Sequence, residues 1–402
     1  MAEDIGNPMR RPIHVALLTS GEVNPAAGGA FTADEALLLQ IIAALRPEDT
    51  STVVRLVDSG KTPNSRAQES ETQIFRRSPI SRAMGIALRH PACWRLQRRG
   101  HLLLKSSLEG HLISEGVDLV VGCAPGLASL DWQRLPYWAA FWDLGHRDLS
   151  EFPEVTQSRL FEMRERTNRR GLTRASMIVT ESEESIRNLA HTYGLLEDRM
   201  LAIRLVPDVV ADYDEPQPGR DPNLAIYPAQ FWPHKNHLVL LHAIDLLVRQ
   251  GRNPRRLVLT GSDKGNEAHV RRRARDLGIG DHVVFSGFVT AAALRDLYSR
   301  ASIMVMPSLL GPTNLPPLEA LSHGCAVAAC HALDARLVSP TGVLEVLPFD
   351  VPAWADLLDR DIPVALPDRA QVRKGIEARM KSNHRALRGA LDQFALRRAL
   401  WP

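Results

Sequence analysis

A strand-then-helix rhythm runs through this chain twice, and a polar, proline-rich stretch separates the two runs. The first run offers strand candidates at 14–19, 52–57, 118–121, 137–142, 177–180 and 201–206, with helical periodicity at 33–45, 95–114, 157–175 and 184–193. Residues 207–221 carry Pro207, Pro216, Pro218 and Gly219 without any period and read as a linker. The rhythm then restarts, with strands at 224–227, 256–260, 282–285, 303–306 and 326–329 and helices at 236–249, 267–277 and 291–299. Short apolar strands alternating with helices build parallel, doubly wound sheets. A chain of 402 residues exceeds one ordinary core. The expected fold is therefore α/β, with Rossmann-like domains at 1–206 and 222–369, a linker at 207–221 and a helical segment at 370–402. Such sheets bind ligands at the carboxyl ends of their strands, which here face a cleft between the domains.

Composition narrows the function classes. A net charge of +3 is too small to imply nucleic acid, but its distribution is uneven. From Arg76 to Lys105 there are eight basic residues and no acid, interleaved with Ile80, Met84, Leu88 and Trp94. That segment reads either as a solvated helical hairpin or as a surface for an anionic membrane or acceptor. Stacking aromatics other than Trp94 are missing from it, which argues against nucleic acid. Cys93, Cys123, Cys325 and Cys330 form no CxxC and have no histidine at zinc spacing, so free thiols are expected. The first twelve residues lack the apolar core of a signal peptide, and no apolar run is long enough to span a bilayer. The expectation is a cytoplasmic protein, with peripheral contact to the membrane face through 76–105 as one reading.

The corners between strands and helices hold the chemistry. After the strand at 303–306 comes Gly311-Pro312-Thr313-Asn314-Leu315-Pro316-Pro317-Leu318-Glu319, in which prolines open a helix that ends near Gly324. Free amides at Thr313, Asn314 and Leu315, with a helix dipole behind them, suit a phosphate. Glu319, one turn in, can chelate two neighbouring ribose hydroxyls, or merely complement the dipole. Residues 227–237 end a strand and place Gln230, Lys235 and Asn236 before an apolar helix. A lysine there opposes the helix dipole by about 0.3–1 kcal/mol, and a bound diphosphate reverses that sign. Ser262 and Lys264 lie in a Gly-rich corner at 260–266, and Phe288 with Val289 follows the next strand as a grip for a flat base. In the first half, Gly28 and Gly29 permit close backbone approach. Asp143, His146 and Arg147 follow the fourth strand. Each corner taken alone also fits an ordinary βα turn. Ser59-Gly60-Lys61-Thr62 ends like a phosphate loop but lacks its first glycine, and no GxGxxG follows the first strand.

Taken together, these segments resemble the GT-B glycosyltransferases of family 4, the group 1 glycosyltransferases. The likeness spans roughly residues 13–347, is strongest in the second half, and includes Phe152-Pro153-Glu154 beside the motifs above. It implies an acceptor-side first domain and a second domain that binds a nucleotide sugar. It implies that Lys235 neutralises the donor diphosphate and that Glu319 binds ribose. The amides of Thr313, Asn314 and Leu315 are implied to touch phosphate and sugar, Phe288 and Val289 to hold the base, and Gly28 and Gly29 to lie beside the phosphates. Three positions depart from the pattern: Gly311 replaces the first signature glutamate, Gln230 stands where many members carry arginine, and Trp142 precedes Asp143 where a histidine is often seen.

The resemblance therefore implies a retaining, metal-independent transferase in glycan, glycolipid or polysaccharide assembly. It would move a sugar from a nucleoside-diphosphate donor to an acceptor hydroxyl, with no cofactor beyond that donor. Lys235, Asp143 and His146 are the catalytic candidates. The acceptor is unidentified, with a lipid-linked one among the readings. Two alternatives stand beside it, a GT-B sugar-nucleotide epimerase and a non-catalytic nucleotide-sugar-binding partner of a glycan-assembly complex.

Overall fold

The computed structural model describes residues 10–20, 29–58, 72–77, 107–126, 132–156, 160–207, 219–311 and 315–400. Most of the basic segment 76–105, the Ser59–Thr62 decoy, Gly28, Cys93, Thr313 and Asn314 lie outside them.

Among the described residues the first half contains β1 (His14–Ser20), α1 (Gly29–Ala44), β2 (Thr50–Asp58), β3 (Thr72–Arg77), α2 (Ser107–Ser114), β4 (Leu119–Gly122) and β5 (Tyr137–Ala140). It continues with the single turns α3 (Gly145–Asp148) and α4 (Pro153–Thr156), then α5 (Leu160–Arg174), β6 (Met177–Thr180), α6 (Glu183–Tyr193) and β7 (Met200–Ala202). Its strands form one parallel sheet in the order β3-β2-β1-β4-β5-β6-β7. Alternate side chains go to opposite faces. Val15 and Leu17 join one apolar cluster with α1, while Ala16 and Leu18 join another with α2, α5 and α6. Both faces are covered, as an all-parallel sheet requires.

The second half contains β8 (Asp221–Pro228), α7 (His237–Arg249), β9 (Arg256–Thr260), α8 (Glu267–Asp276), β10 (Val283–Gly287), α9 (Ala291–Arg300) and β11 (Ala301–Met306). Then come α10 (Leu315–Ser322), β12 (Ala326–Ala329), α11 (Leu333–Val338), β13 (Val343–Glu345), α12 (Val351–Leu358) and the long α13 (Arg369–Arg398). The parallel sheet has the order β10-β9-β8-β11-β12-β13. Asp221, expected in the linker, begins β8.

Helix α13 belongs to both halves. Val372 and Ile376 sit in the core of the second sheet, whereas Leu387, Leu391 and Ala395 sit in a first-sheet cluster. At 30 residues it runs roughly 45 Å. Asp368 caps its start by accepting from the amides of Ala370 and Gln371. Near its end Asp392 receives both Arg10 and Arg46 of the first half, at 2.7 and 2.8 Å.

Candidate active site

In the second sheet β8 and β11 are neighbours, but β8 leads back to β9 and β11 leads on to β12. Right-handed crossovers send their following helices to opposite faces and leave a crevice above the two carboxyl ends. The chain bridges that crevice with polar groups. Lys235 donates from Nζ to Ser308 Oγ at 3.2 Å, and Leu309 donates its amide to the His234 carbonyl at 2.9 Å. Asn236 takes the left-handed conformation, with φ of 53°, and donates from Nδ2 to the carbonyls of Pro307 and Pro348. The Tyr227 hydroxyl, buried in the core, donates to the Lys235 carbonyl at 2.7 Å. The backbone carrying the ammonium is thus pinned from below, and the ammonium sits where the strand order reverses.

Lys235 itself is half-buried. Burial pushes its pKa down to about 8, and the Asp143 carboxylate across the cleft pulls the other way. Asp143 accepts from the Gly145 amide at 2.8 Å and from Arg164 at 3.0 Å. A second link between the halves lies beside it: Glu154 Oε1 meets His234 Nδ1 at 2.6 Å and accepts the His234 amide at 3.2 Å.

His146 departs from the reading that placed it in the cleft. Its ring is fully buried and its Nε2 is 2.9 Å from Glu165 Oε1, while Arg147 forks onto both oxygens of Glu165. Tyr193 donates to Glu165 as well. Burial lowers the His146 pKa despite the carboxylate, so the ring is a neutral structural group of the 143–148 loop.

The other candidates fall around the crevice with distinct roles. The Gln230 side chain accepts from the Trp232 indole at 3.0 Å, and Lys264 Nζ lies 5.9 Å from the Trp232 ring centre. The Ser262 carbonyl accepts the Phe231 amide, tying the exits of β8 and β9 together. Gly261 at that junction has φ of 150°, and a Cβ there would come within 2.2 Å of the Ala229 carbonyl oxygen. Phe288 is 50% exposed beyond β10, and Val289 is half-buried. Glu319 accepts from the Tyr298 hydroxyl at 3.0 Å, and burial raises its pKa. Gly29 opens α1. Leu315 opens α10 with its side chain buried in the first-half cluster, so its backbone is what the loop can offer a ligand.

An interdomain cavity of about 470 Å³ adjoins these groups, lined by Trp142, Asp143 and Leu144 from one half and Leu309, Leu310 and Gly311 from the other. Sequence reasoning missed Ser308, Arg164, Glu165 and the His234–Glu154 bridge. Only Glu154 had a signal, in the Phe152-Pro153-Glu154 run.

Residues 212–333 match the model of glycosyl transferases group 1. That part of the chain is similar to the group 1 glycosyltransferases. Over 181 residues it is 24% identical to the O-antigen chain mannosyltransferase RfbU of Salmonella typhimurium, covering 45% of this chain and 49% of that one. The chain thus matches about half the length of this relative. Sucrose-phosphate synthase from Thermosynechococcus elongatus superposes with a TM-score of 0.61 at 18% identity, over 95% of this chain and 98% of that one. Anabaena HepE, solved with UDP and glucose, does so with a TM-score of 0.59 at 16% identity, over 95% and 97%. At those identities the likeness establishes the shared GT-B fold. No described helix is long and apolar enough to cross a membrane.

Proposed function

We propose that this protein transfers a sugar from a nucleoside-diphosphate donor to an acceptor hydroxyl, with retention at the anomeric carbon. The single observation that carries the reading is the Lys235 ammonium held above the β8–β11 crevice, 3.2 Å from Ser308. Breaking the glycosidic bond builds negative charge on the departing diphosphate, and a preorganised cation stabilises that charge as it develops. Burial has already stripped much of the water from Lys235, so little solvent must reorganise when the phosphate arrives. The start of α10 adds its dipole from the β11 side of the crevice. Glu319 stands one turn into that helix, where a ribose bound behind the diphosphate would meet it.

Retention rests on the family likeness. Same-face attack lets the leaving phosphate take the acceptor's proton, so no protein base is required. Asp143 orients the acceptor and keeps Lys235 charged, and His146 supports the loop from beneath. The donor's base and sugar and the linkage are open to a screen. The relative's name supports glycan assembly as the setting.

The test uses a thermal-shift screen over UDP, GDP and ADP sugars, because a ligand of the native state raises the midpoint. Lys235→Ala is then compared with wild type in donor-driven transfer. Its turnover should fall by about 10²–10³, as for removal of one transition-state donor, with an unchanged circular dichroism spectrum. Near-normal turnover would remove Lys235 from the mechanism.

A further inference from the structure

The first half reaches the donor side of the cleft through a carboxylate to which the proposed mechanism gives no part. We infer that Glu154 is a positioning residue of the transfer: from the first half it grips the His234 turn and fixes the acceptor side of the cleft against Lys235. The inference rests on the glycosyl-transfer reading and adds a residue to it.

The backbone around Glu154 is braced. Phe152 donates its amide to the Leu149 carbonyl at 3.1 Å, and Val155 and Thr156 donate theirs to the Phe152 carbonyl at 2.9 and 3.0 Å. Val155 is buried beside them. From this turn the Glu154 side chain, 11% exposed, meets that of His234, 14% exposed. A carboxylate only accepts, so His234 Nδ1, 2.6 Å from Glu154 Oε1, carries the hydrogen of the ring. The His234 amide donates to the same oxygen at 3.2 Å. Burial, and then the charge of Lys235, hold the His234 pKa low, so the ring is neutral and its one hydrogen goes to Glu154.

His234 is where three segments meet. Its carbonyl accepts the Leu309 amide at 2.9 Å, so the residue before Lys235 ties the loop after β8 to the loop after β11 and to the first half. Its ring lies 6.4 Å from the Trp232 ring and nearly parallel to it, and Gln230 holds the Trp232 indole N–H at 3.0 Å. A second contact joins the same segments. Leu310 packs onto the bare backbone of Gly145, where a Cβ would lie 2.5 Å from Leu310 Cδ2. The supports of Lys235 within the second half, from Tyr227, Ser308 and Asn236, do not involve Glu154. Glu154 therefore adds little to the grip on a diphosphate, and what it fixes is where Asp143 and the acceptor wall stand relative to that grip. Its other oxygen, Oε2, is buried with no partner among the described residues. A half-answered buried carboxylate costs stability, and apolar groups would serve stability better. The geometry of the link is what the carboxylate supplies.

The test separates donor binding from turnover in the full chain. The donor is whichever UDP, GDP or ADP sugar raises the midpoint. Turnover is read as nucleoside diphosphate released with methyl glycosides present, so that transfer and hydrolysis both count. Glu154→Ala should keep its calorimetric donor Kd within about twofold of wild type. Its kcat should fall by about 10–10², the order that a small misplacement of reacting groups costs. Glu154→Gln keeps an oxygen that can accept both His234 hydrogens and should recover most of that loss. His234→Ala reads the same contact from the other side, should Glu154→Ala fold poorly by circular dichroism. Glu154→Ala/His234→Ala should be no slower than the worse single variant, because both changes remove one contact. Wild-type turnover in folded Glu154→Ala, a matching loss of donor affinity, a Glu154→Gln as slow as Glu154→Ala, or additive losses in the double variant would each overturn the inference. If wild type released no nucleoside diphosphate from any sugar that raised the midpoint, the transferase reading would fail and the inference with it. If wild type turned over and Glu154→Ala kept pace, only the positioning role would be wrong.

Discussion

Lys235 shows how one side chain can be poorly placed for the empty protein and well placed for a ligand. Its pKa of about 8 lies below the ordinary 10.5 because burial penalises the ammonium. The unfolded chain therefore holds a proton that the folded chain releases between those values. This group opposes folding below pH 8, and the penalty is relieved as pH rises through that window. Donor binding runs the other way, because a diphosphate needs the ammonium. Calorimetric titration of the donor between about pH 6 and about pH 10 should show affinity nearly flat below 8 and falling up to tenfold per unit above it. A flat profile throughout would mean that the ammonium does not meet the phosphate. Lys235 was legible in the sequence because it breaks a local preference, a cation at a helix start, and Glu319 because it follows the Gly/Pro loop that opens α10. Ser308 and Glu165 were not, since serine after a strand and glutamate on a helix offend nothing locally. Their significance arises only when the chain brings Lys235 and His146 onto them.

At the scale of the element, the strands that carry the site were the readable ones. β8, β9 and β11 are short apolar runs ended by Pro, Gly or polar residues, and the period alone placed them. β3 was missed because the sequence Thr72-Gln73-Ile74-Phe75-Arg76-Arg77 does not alternate apolar with polar; its pairing with β2, Val53 opposite Thr72, makes it a strand. The three-residue edge strand β13, the six-residue helix α11 and the helix α12 were not expected, since each is short and has no strong apolar period. The corner after β9 was read as Gly-rich, and the geometry gives the reason. Gly261 combines an unusual φ with contact against the Ala229 carbonyl, whereas Gly287, at φ of 64°, has open space around its Cβ position. Gly261→Ala should therefore lower the urea midpoint by more than Gly287→Ala, which carries only the backbone strain of about 1–3 kcal/mol. It should also weaken donor binding, because the exits of β8 and β9 would be pushed apart. Equal midpoints for the two variants would show that the corner yields without cost.

Across the whole molecule, the two halves are joined by more than a linker. Helix α13 lends its first turns to the second core and its last turns to the first, so the sequence reading of 370–402 as a separate segment understates it. The helical character was legible, but nothing local says that Val372 and Leu391 serve different sheets. The division matters for function because Lys235 and Glu319 sit on one half and Asp143 on the other. Only a fixed relation between the halves keeps Asp143 acting on Lys235 and Glu154 on His234. Leu387 and Leu391 are at most 1% exposed, and truncating a buried leucine costs about 2–5 kcal/mol. In Leu387→Ala/Leu391→Ala the loss falls on the contact between α13 and the first sheet, leaving the β8–β11 crevice untouched. Scanning calorimetry should show the first-half transition moving down and separating from the second. Donor affinity should stay within about twofold of wild type, while turnover drops because the acceptor wall no longer meets the donor. A parallel loss of donor affinity would mean that the second half cannot hold its site alone. Retained turnover would mean that the bridges at Glu154 and Asp143 suffice to align the two halves without the helix.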